Sequence, residues 1–294
     1  MARAAGRRIV QSARRQLRPI RCSRLIVIEP LPKSPLLAVI LCLMLTGLGM
    51  PSPACADAGP PFLTYDPGTP GNGNWEINIA AMQTTLPGVS NWQLPQLDIN
   101  LGLGDRVQLT GEIPYVVVNT TGQPQASGWG NANPGIKWRF FDQGEEGWQI
   151  STFPMYQTAV SEEAQSKGIG VAGPRLFLPL EVARKFGPLT FNFEAGSYIP
   201  LHGDHEHIVG LVAGYQVTPR LELDGELYDD HIRGGTDVTT FDVGGRYRLH
   251  RGFNLLFMAG RSLGGNSPGQ VEFMGYLGIQ ILLSHFGRTL VDEH

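Results

Sequence analysis

The amino-acid sequence predicts an all-β protein whose strands close into an antiparallel, up-and-down transmembrane β-barrel of about 12 strands. Three observations predict this fold. Apolar residues recur with a period of two from Trp75 onward, short and long connections alternate, and charged residues occupy the strand face opposite the apolar one. A helical membrane protein is excluded, because only one weak apolar run approaches the roughly 20 residues that a spanning helix needs.

Residues 1–56 have the layout of a secretory signal peptide. A basic stretch is followed by the apolar run Leu36 to Met50 and by Ala54-Cys55-Ala56, so we expect cleavage after Ala56. An N-terminal membrane anchor is the alternative, but the run of about 15 residues is short for it. A lipoprotein modified at Cys55 is a third interpretation, which Ser52 disfavours.

The exported part of the chain is acidic and lacks cysteine. The whole sequence holds 23 basic and 26 acidic residues, of which nine basic residues and one acid lie in 1–56. The remaining 14 basic and 25 acidic residues give residues 57–294 a net charge of −11. All three cysteines lie in the leader. An exported chain without disulfides needs another stabilising device, and barrel closure leaves no free strand edge.

The predicted barrel spans residues 74–283, between two segments without strand periodicity. Residues 57–73 are rich in proline and glycine and have two interpretations, a disordered leader to the first strand or a plug in the barrel. Their composition favours the leader. Residues 284–294 form a C-terminal tail, which is unusual because outer-membrane barrels commonly end on an aromatic residue of the last strand.

Twelve segments of about ten residues carry the period-two pattern, the length that a tilted strand needs to cross a bilayer. In the first segment, Trp75, Ile77 and Ile79 alternate with Glu76 and Asn78. Proline lacks a backbone N–H and weakens the assignment where it interrupts a strand, as at Pro95, Pro114, Pro154 and Pro179. The predicted strands are 75–81, 97–103, 107–117, 136–140, 148–152, 176–182, 189–195, 209–217, 221–227, 241–249, 253–259 and 273–283.

The connections alternate in length along the predicted barrel. Short or moderate turns such as Phe186-Gly187-Pro188 join every second pair of strands. Because the strand count is even and both ends of the barrel fall on the short-turn side, this predicts short periplasmic turns and long external loops. A soluble sandwich gives no reason for such alternation. The long connections are predicted at 83–92, 119–133, 157–174, 200–207, 229–238 and 262–271.

The strand face opposite the apolar one is charged and therefore cannot lie in a dry core. We expect these side chains to line a water-filled or partly plugged lumen, with a preference for cations or neutral solutes because acids predominate. The lumen candidates are Glu76, Asp98, Glu112, Lys137, Arg139, Glu194, Glu222, Asp224, Glu226, Asp242 and Arg246. Aromatic residues near strand ends predict interfacial girdles, among them Trp129, Trp148, Tyr156, Phe186, Tyr198 and Tyr228.

Three stretches carry a family resemblance. They are Gly130-Asn131-Ala132-Asn133-Pro134-Gly135-Ile136-Lys137-Trp138, the run from Leu97 to Leu109, and Phe191-Asn192-Phe193-Glu194-Ala195-Gly196. They resemble the MetA-pathway of phenol degradation family, a group of outer-membrane transporters, over roughly residues 70–283. The resemblance implies a Gram-negative outer-membrane barrel for the uptake of aromatic or other apolar compounds. It brings no catalytic residue and no cofactor.

One predicted external loop concentrates metal-ligating residue types. It contains His202, Asp204, His205, Glu206 and His207, side chains that Zn, Cu or Ni accept as ligands. Metal capture is one interpretation of this loop. A solvated polar loop tip is the favoured one.

A barrel of this size also raises the hypothesis of a lipid hydrolase with a serine and a histidine at its outer rim. Ser267 is the candidate, but it lies in a glycine-rich stretch that reads as a flexible loop, and no histidine stands at a suitable spacing. We therefore expect no enzyme and no cofactor.

The function that the sequence favours is a monomeric outer-membrane pore or transporter for small solutes, with aromatic or apolar compounds as candidates. The alternative is a closed barrel whose external loops have a binding, adhesive or metal-capturing role. The expected partners are outer-membrane lipid and lipopolysaccharide, the barrel-assembly machinery and a small-molecule solute. Nucleic acid is not expected.

Overall fold

The computed structural model describes residues 59–201, 203–232, 237–264, 269–284 and 288–289, and the predicted leader lies outside them. These residues form one antiparallel sheet and one short helix, α1, at Glu162–Ser166. The strands are β1 (Trp75–Leu86), β2 (Val89–Leu103), β3 (Val107–Thr120), β4 (Ala126–Trp129), β5 (Asn133–Asp142), β6 (Trp148–Thr152), β7 (Met155–Gln157), β8 (Arg175–Phe186), β9 (Leu189–Pro200), β10 (Glu206–Thr218), β11 (Leu221–Ile232), β12 (Val238–His250), β13 (Phe253–Ser262), β14 (Phe273–Ser284) and β15 (Arg288–Thr289).

The sheet closes into a barrel with 12 strand positions. Its first and last long strands pair from Trp75 opposite Leu283 to Thr85 opposite Phe273. Two positions are occupied by broken strands, because β4 and β5 both pair with β3, and β6 and β7 both pair with β8. The predicted all-β, up-and-down antiparallel barrel of about 12 strands is confirmed.

Two of the four strand prolines coincide with irregularities in the ladder. Pro154 lies between β6 and β7, and Pro95 lies at the register shift between Gln93 and Gln96 in β2. At both positions the ladder is irregular, so it does not need the backbone N–H that proline lacks. Pro114 and Pro179 remain inside β3 and β8.

Several strands extend beyond their apolar segments, so the long-loop end of the barrel is more regular than predicted. The expected long connection at 83–92 is wrong, because β1 and β2 continue to Leu86 and from Val89 and leave a two-residue turn. Polar side chains such as Thr84 and Asn91 pair across these extensions. Because these residues are polar, the apolar alternation ends before the strands do, and the sequence pattern underestimates their length.

The two faces of the wall have opposite character. In β8, Leu176, Leu178 and Leu180 are exposed, whereas the alternate positions Phe177, Pro179 and Glu181 are buried. The same alternation places large apolar side chains on the outside of strands around the barrel. An apolar exterior around a polar interior suits a lipid bilayer and is the reverse of a water-soluble barrel. Within the described residues, no helix has the length and apolar character needed to cross a membrane.

The apolar outer face predicts that a charged side chain placed on it lowers the free energy of unfolding by an amount that depends on its depth in the bilayer. Leu211 and Val217 are both exposed on β10, the first near the middle of the strand and the second beside the short turn that follows it. We expect Leu211→Arg to lower the free energy of unfolding in lipid vesicles by about 2–4 kcal/mol, and Val217→Arg by about 0–1 kcal/mol. Denaturant titration of the two variants measures this. Equal costs at both depths would contradict a membrane-facing exterior.

Candidate functional site

The N-terminal segment occupies the barrel interior. Residues 59–73, which we call the luminal segment, precede β1 and contact side chains on strands from around the barrel. Thr64 and Asp66 are buried, and Phe62 packs in a cluster with Met82, Leu256 and other inward side chains. The favoured expectation of a disordered leader is therefore wrong for these residues. The segment contains no strand or helix, so its sequence has no periodic pattern and its composition is typical of disorder. Its order comes instead from contacts with the barrel wall.

Carboxylates of the wall hold the backbone of the luminal segment. The N–H groups of Leu63 and Thr64 donate to the two carboxylate oxygens of Glu226, over 3.2 and 2.7 Å. The N–H of Tyr65 donates to Glu194 Oε2 over 2.9 Å. Hydrogen bonds to a carboxylate are stronger than those between neutral groups. Three consecutive amides that lack a strand partner are thus satisfied by two buried acids.

Side chains of the luminal segment add a second set of contacts. The Tyr65 hydroxyl donates to Glu112 Oε1 over 2.7 Å, and the Lys137 ammonium donates to the backbone oxygen of Asp66. Lys137 Nζ also lies 3.7 Å from Asp66 Oδ1 and 3.9 Å from Glu181 Oε2. Lys137 therefore links the segment to the wall and neutralises part of a carboxylate cluster.

Two glycines make room for the luminal segment. A Cβ on Gly210 would lie 2.0 Å from Thr64 Oγ1, and a Cβ on Gly102 would lie 1.8 Å from the backbone oxygen of Gly71. Both distances are far below van der Waals contact. At these positions the wall needs the absence of a side chain, because the segment approaches it closely.

All 11 predicted lumen residues lie on the inner face, and none is exposed. Five of them are buried, namely Asp98, Lys137, Glu194, Glu226 and Asp242. The other six, Glu76, Glu112, Arg139, Glu222, Asp224 and Arg246, are half-buried. Arg139 lies near the short-turn end, where its guanidinium donates to the Asp105 backbone oxygen over 2.6 Å. Their role in a solute path stays a prediction.

The sequence assignment missed Glu181 and two tyrosines of the interior. Glu181 is fully buried and alternates with exposed leucines of β8, so strand parity alone could have found it. Tyr198 and Tyr228, expected in interfacial girdles, instead pack against a buried cluster that contains Phe177 and Ile208. Proximity to a strand end was a weaker guide than parity. Trp129, Trp148, Tyr156 and Phe186 are exposed.

The long-loop end carries a second inward segment. Asn131 donates to the backbone oxygens of Thr158 and Val171 and accepts a 2.8 Å hydrogen bond from the Val171 N–H. The connection between β7 and β8 is thereby drawn inward, and its Ile169 packs on Val116 and Val118. Hydrophobic contacts and three hydrogen bonds thus fix part of a connection that the sequence predicted as a long external loop.

Helix α1 lies in the same connection. Ser161 caps its first turn by accepting a 3.1 Å hydrogen bond from the Ala164 N–H. A 2.6 Å hydrogen bond from Lys167 Nζ lowers the pKa of the exposed Glu163 carboxyl below its usual value. The helix has no buried residue and contributes little to the interior.

The predicted metal-ligating cluster is divided by the fold. Glu206 and His207 are neighbours in β10, so their side chains point to opposite faces. Glu206 accepts a 2.6 Å hydrogen bond from Arg175, and His207 Nδ1 lies 2.8 Å from Ser197 Oγ. Asp204 and His205 are exposed, and His202 and the enzyme candidate Ser267 lie outside the described residues. Within the described part of the chain, no group of three acidic, histidine or cysteine side chains could hold a metal ion.

The comparison with solved structures identifies the fold. The COG4313 outer membrane channel from Pseudomonas putida F1 is 14% identical, with a TM-score of 0.64 over 77% of this chain and 100% of that chain. The KdgM porin is 11% identical, with a TM-score of 0.47 over 69% of this chain and 98% of that chain. The NanC porin is 7% identical, with a TM-score of 0.48 over 70% and 98%. No family model and no curated protein matches the chain, so the family named from the sequence stays a prediction.

The contact between Glu226 and the luminal segment predicts a local change in hydrogen exchange. In Glu226→Ala the amides of Leu63 and Thr64 lose a charged acceptor worth about 1.5–3 kcal/mol for each bond. We expect both amides to exchange at least about tenfold faster, since about 1.4 kcal/mol corresponds to a factor of ten. Mass spectrometry of peptides covering 59–68 measures this. Glu163→Ala removes an exposed carboxylate and is the control. Unchanged exchange in Glu226→Ala would show that Glu226 does not hold the segment.

Proposed function

We propose that the protein is an outer-membrane pore or transporter for small solutes in a Gram-negative bacterium. The observation that carries the proposal is a closed barrel with an apolar exterior and a polar interior that the chain's own N-terminal segment partly fills. The shared fold with an outer membrane channel supports it. The exterior would face outer-membrane lipid and lipopolysaccharide, and the barrel-assembly machinery would insert the chain after removal of its signal peptide.

The luminal segment restricts what can pass. It crosses the interior from the base of β1 to Glu226 on β11, so solutes share the lumen with a strip of protein. Barrels of about eight strands are filled by side chains, whereas those of 16–18 strands leave an aqueous channel. A 12-position barrel with an internal segment should therefore conduct weakly and pass only small molecules.

Charge in the interior favours cations and neutral solutes. Among the described residues, six acids are buried, namely Asp66, Asp98, Glu181, Glu194, Glu226 and Asp242, against one buried basic residue, Lys137. Rings of acidic side chains favour cations in channels. An aromatic or apolar body on the solute is supported by the inward-facing rings of Tyr65, Phe177 and Tyr198.

A second candidate function is a closed barrel that binds rather than conducts, and the filled interior is the observation that favours it. In that case the connections at the long-loop end would have an adhesive, binding or metal-capturing role. Conductance separates the two candidates. An enzymatic role is not proposed, because the described residues offer no catalytic arrangement that supports one.

The localisation is tested on the full-length chain expressed in a Gram-negative host. We expect the protein in the outer-membrane fraction with Asp57 at its N-terminus, because the leader ends in Ala54-Cys55-Ala56. Membrane fractionation and N-terminal sequencing measure this. An uncleaved chain in the inner membrane would favour an anchor and contradict the proposal.

The pore is tested by planar-bilayer recording of the purified protein. We expect small, cation-selective steps in the natural protein and larger steps in Gly210→Ala, whose Cβ would displace Thr64 and the luminal segment. Gly225→Ala is the matched control, because the nearest atom to a Cβ there lies at 3.9 Å. Reversal potentials in a salt gradient give the selectivity. Absence of steps in both the natural protein and Gly210→Ala would support the closed barrel instead.

A further inference from the structure

A partly enclosed cavity remains between the luminal segment and the wall. Its volume is about 140 Å³, close to the roughly 150 Å³ of an engineered protein cavity that binds benzene. It therefore has room for one small organic molecule. The lining combines residues of the luminal segment with inward side chains of the wall, and most of it is aromatic, acidic or apolar.

Six aromatic side chains make up much of this lining. Phe62 and Tyr65 come from the luminal segment, and Phe177, Tyr198, Tyr228 and Tyr276 come from the wall. The Phe177 and Tyr198 rings stack with centroids 4.3 Å apart. An aromatic face attracts a cation, and cages of aromatic rings recognise quaternary ammonium groups.

The margins of the cavity already contain such contacts. The Arg175 guanidinium lies 4.4 Å from the centroid of Tyr198, and Lys137 Nζ lies 5.9 Å from that of Tyr65. Each of these cations has an acidic partner of its own. Arg175 pairs with Glu206, and Lys137 lies beside Asp66 and Glu181. Neither cation is among the residues that line the cavity.

Three carboxylates line the cavity. Glu194 is fully buried and uses Oε2 for the Tyr65 N–H, while its Oε1 has no hydrogen-bond partner among the described residues. Asp98 is 5% exposed and accepts from Asn78 and Asn100 through Oδ2, while Oδ1 has no such partner. Glu112 accepts from Tyr65 and Asn133. No lysine, arginine or histidine occurs among the described residues that line the cavity.

We propose that this cavity binds a small organic cation, an ammonium group on a compact apolar body. The aromatic rings would surround the apolar body and the ammonium group. The carboxylates of Glu194 and Asp98 would supply the negative charge that a buried cation requires. A simple metal ion fits less well, because the described residues offer no group of three ligands. An organic anion would face three acids without a base. This assignment rests on the proposed function, since it names the solute class of the lumen.

The test uses choline and its uncharged isostere, 3,3-dimethylbutan-1-ol, which have nearly the same shape. The full-length protein is processed by its host and purified in a maltoside detergent, because phosphocholine detergents would compete. In isothermal titration we expect choline to bind at least tenfold more tightly than the alcohol. Equal affinity for the two molecules, or no binding of choline, would overturn the proposal.

Variants locate the site. Glu194→Gln removes the charge but keeps an oxygen that can accept from the Tyr65 N–H, and we expect it to weaken choline binding at least tenfold. Asp98→Asn is the second variant, used if the first does not migrate as a folded, heat-modifiable barrel in gel electrophoresis. Glu163→Gln removes an exposed acid on α1 and should bind like the natural protein. Choline affinity unchanged in a folded Glu194→Gln or Asp98→Asn barrel would place binding elsewhere and overturn the proposal.

The same preparation separates this inference from the pore. Choline binding without conductance would leave the cation site in place and contradict the pore. Conductance without choline binding would support the pore and contradict the cation site.

Discussion

Backbone pairing around a closed circuit is the constraint on which the rest of this structure depends. In hydrocarbon an unpaired N–H or C=O costs several kcal/mol, so a membrane sheet must leave no open edge. The pairing of β1 with β14 meets that condition. Once the circuit is closed, strand alternation assigns every second side chain to the outside and the rest to the interior. The apolar belt and the charged lumen are both consequences of this alternation.

The luminal segment depends on the interior that closure creates. It has no strand to pair with, so its amides need other acceptors, and Glu226 and Glu194 provide them. These acids in turn have few basic neighbours, since Lys137 is the one buried base in the described part of the chain. The interior is therefore a polar network in which backbone N–H groups of the luminal segment, rather than basic side chains, donate hydrogen bonds to the buried acids. Among the described residues that line the aromatic cavity, three are acidic and none is basic.

The sequence predicts the wall far better than its contents. All twelve strand positions follow from apolar alternation, and parity places every predicted charged residue on the inner face. The alternation ends where strands continue with polar residues such as Thr84 and Asn91, so the sequence predicts a long loop where β1 and β2 are joined by a two-residue turn. For the luminal segment the sequence leaves a plug as the less favoured of two interpretations, because several contacts that order it are with residues more than 100 positions away. No sequence pattern indicates the aromatic cavity, since Phe62 and Tyr65 meet the rings of the wall only in the folded barrel.

The position of the luminal segment in the chain also has a kinetic consequence. Thr64 precedes the first strand, yet its amide is held by a glutamate 162 residues later. Contacts of such separation form late, because a long loop must close before they contribute. The segment precedes the strands in the chain, but its hydrogen bonds to Glu226 can form only after β11 has joined the sheet. The growing sheet would therefore curl around a strip of its own chain, and the interior would fill as successive strands bring Glu112, Glu194 and Glu226 into place.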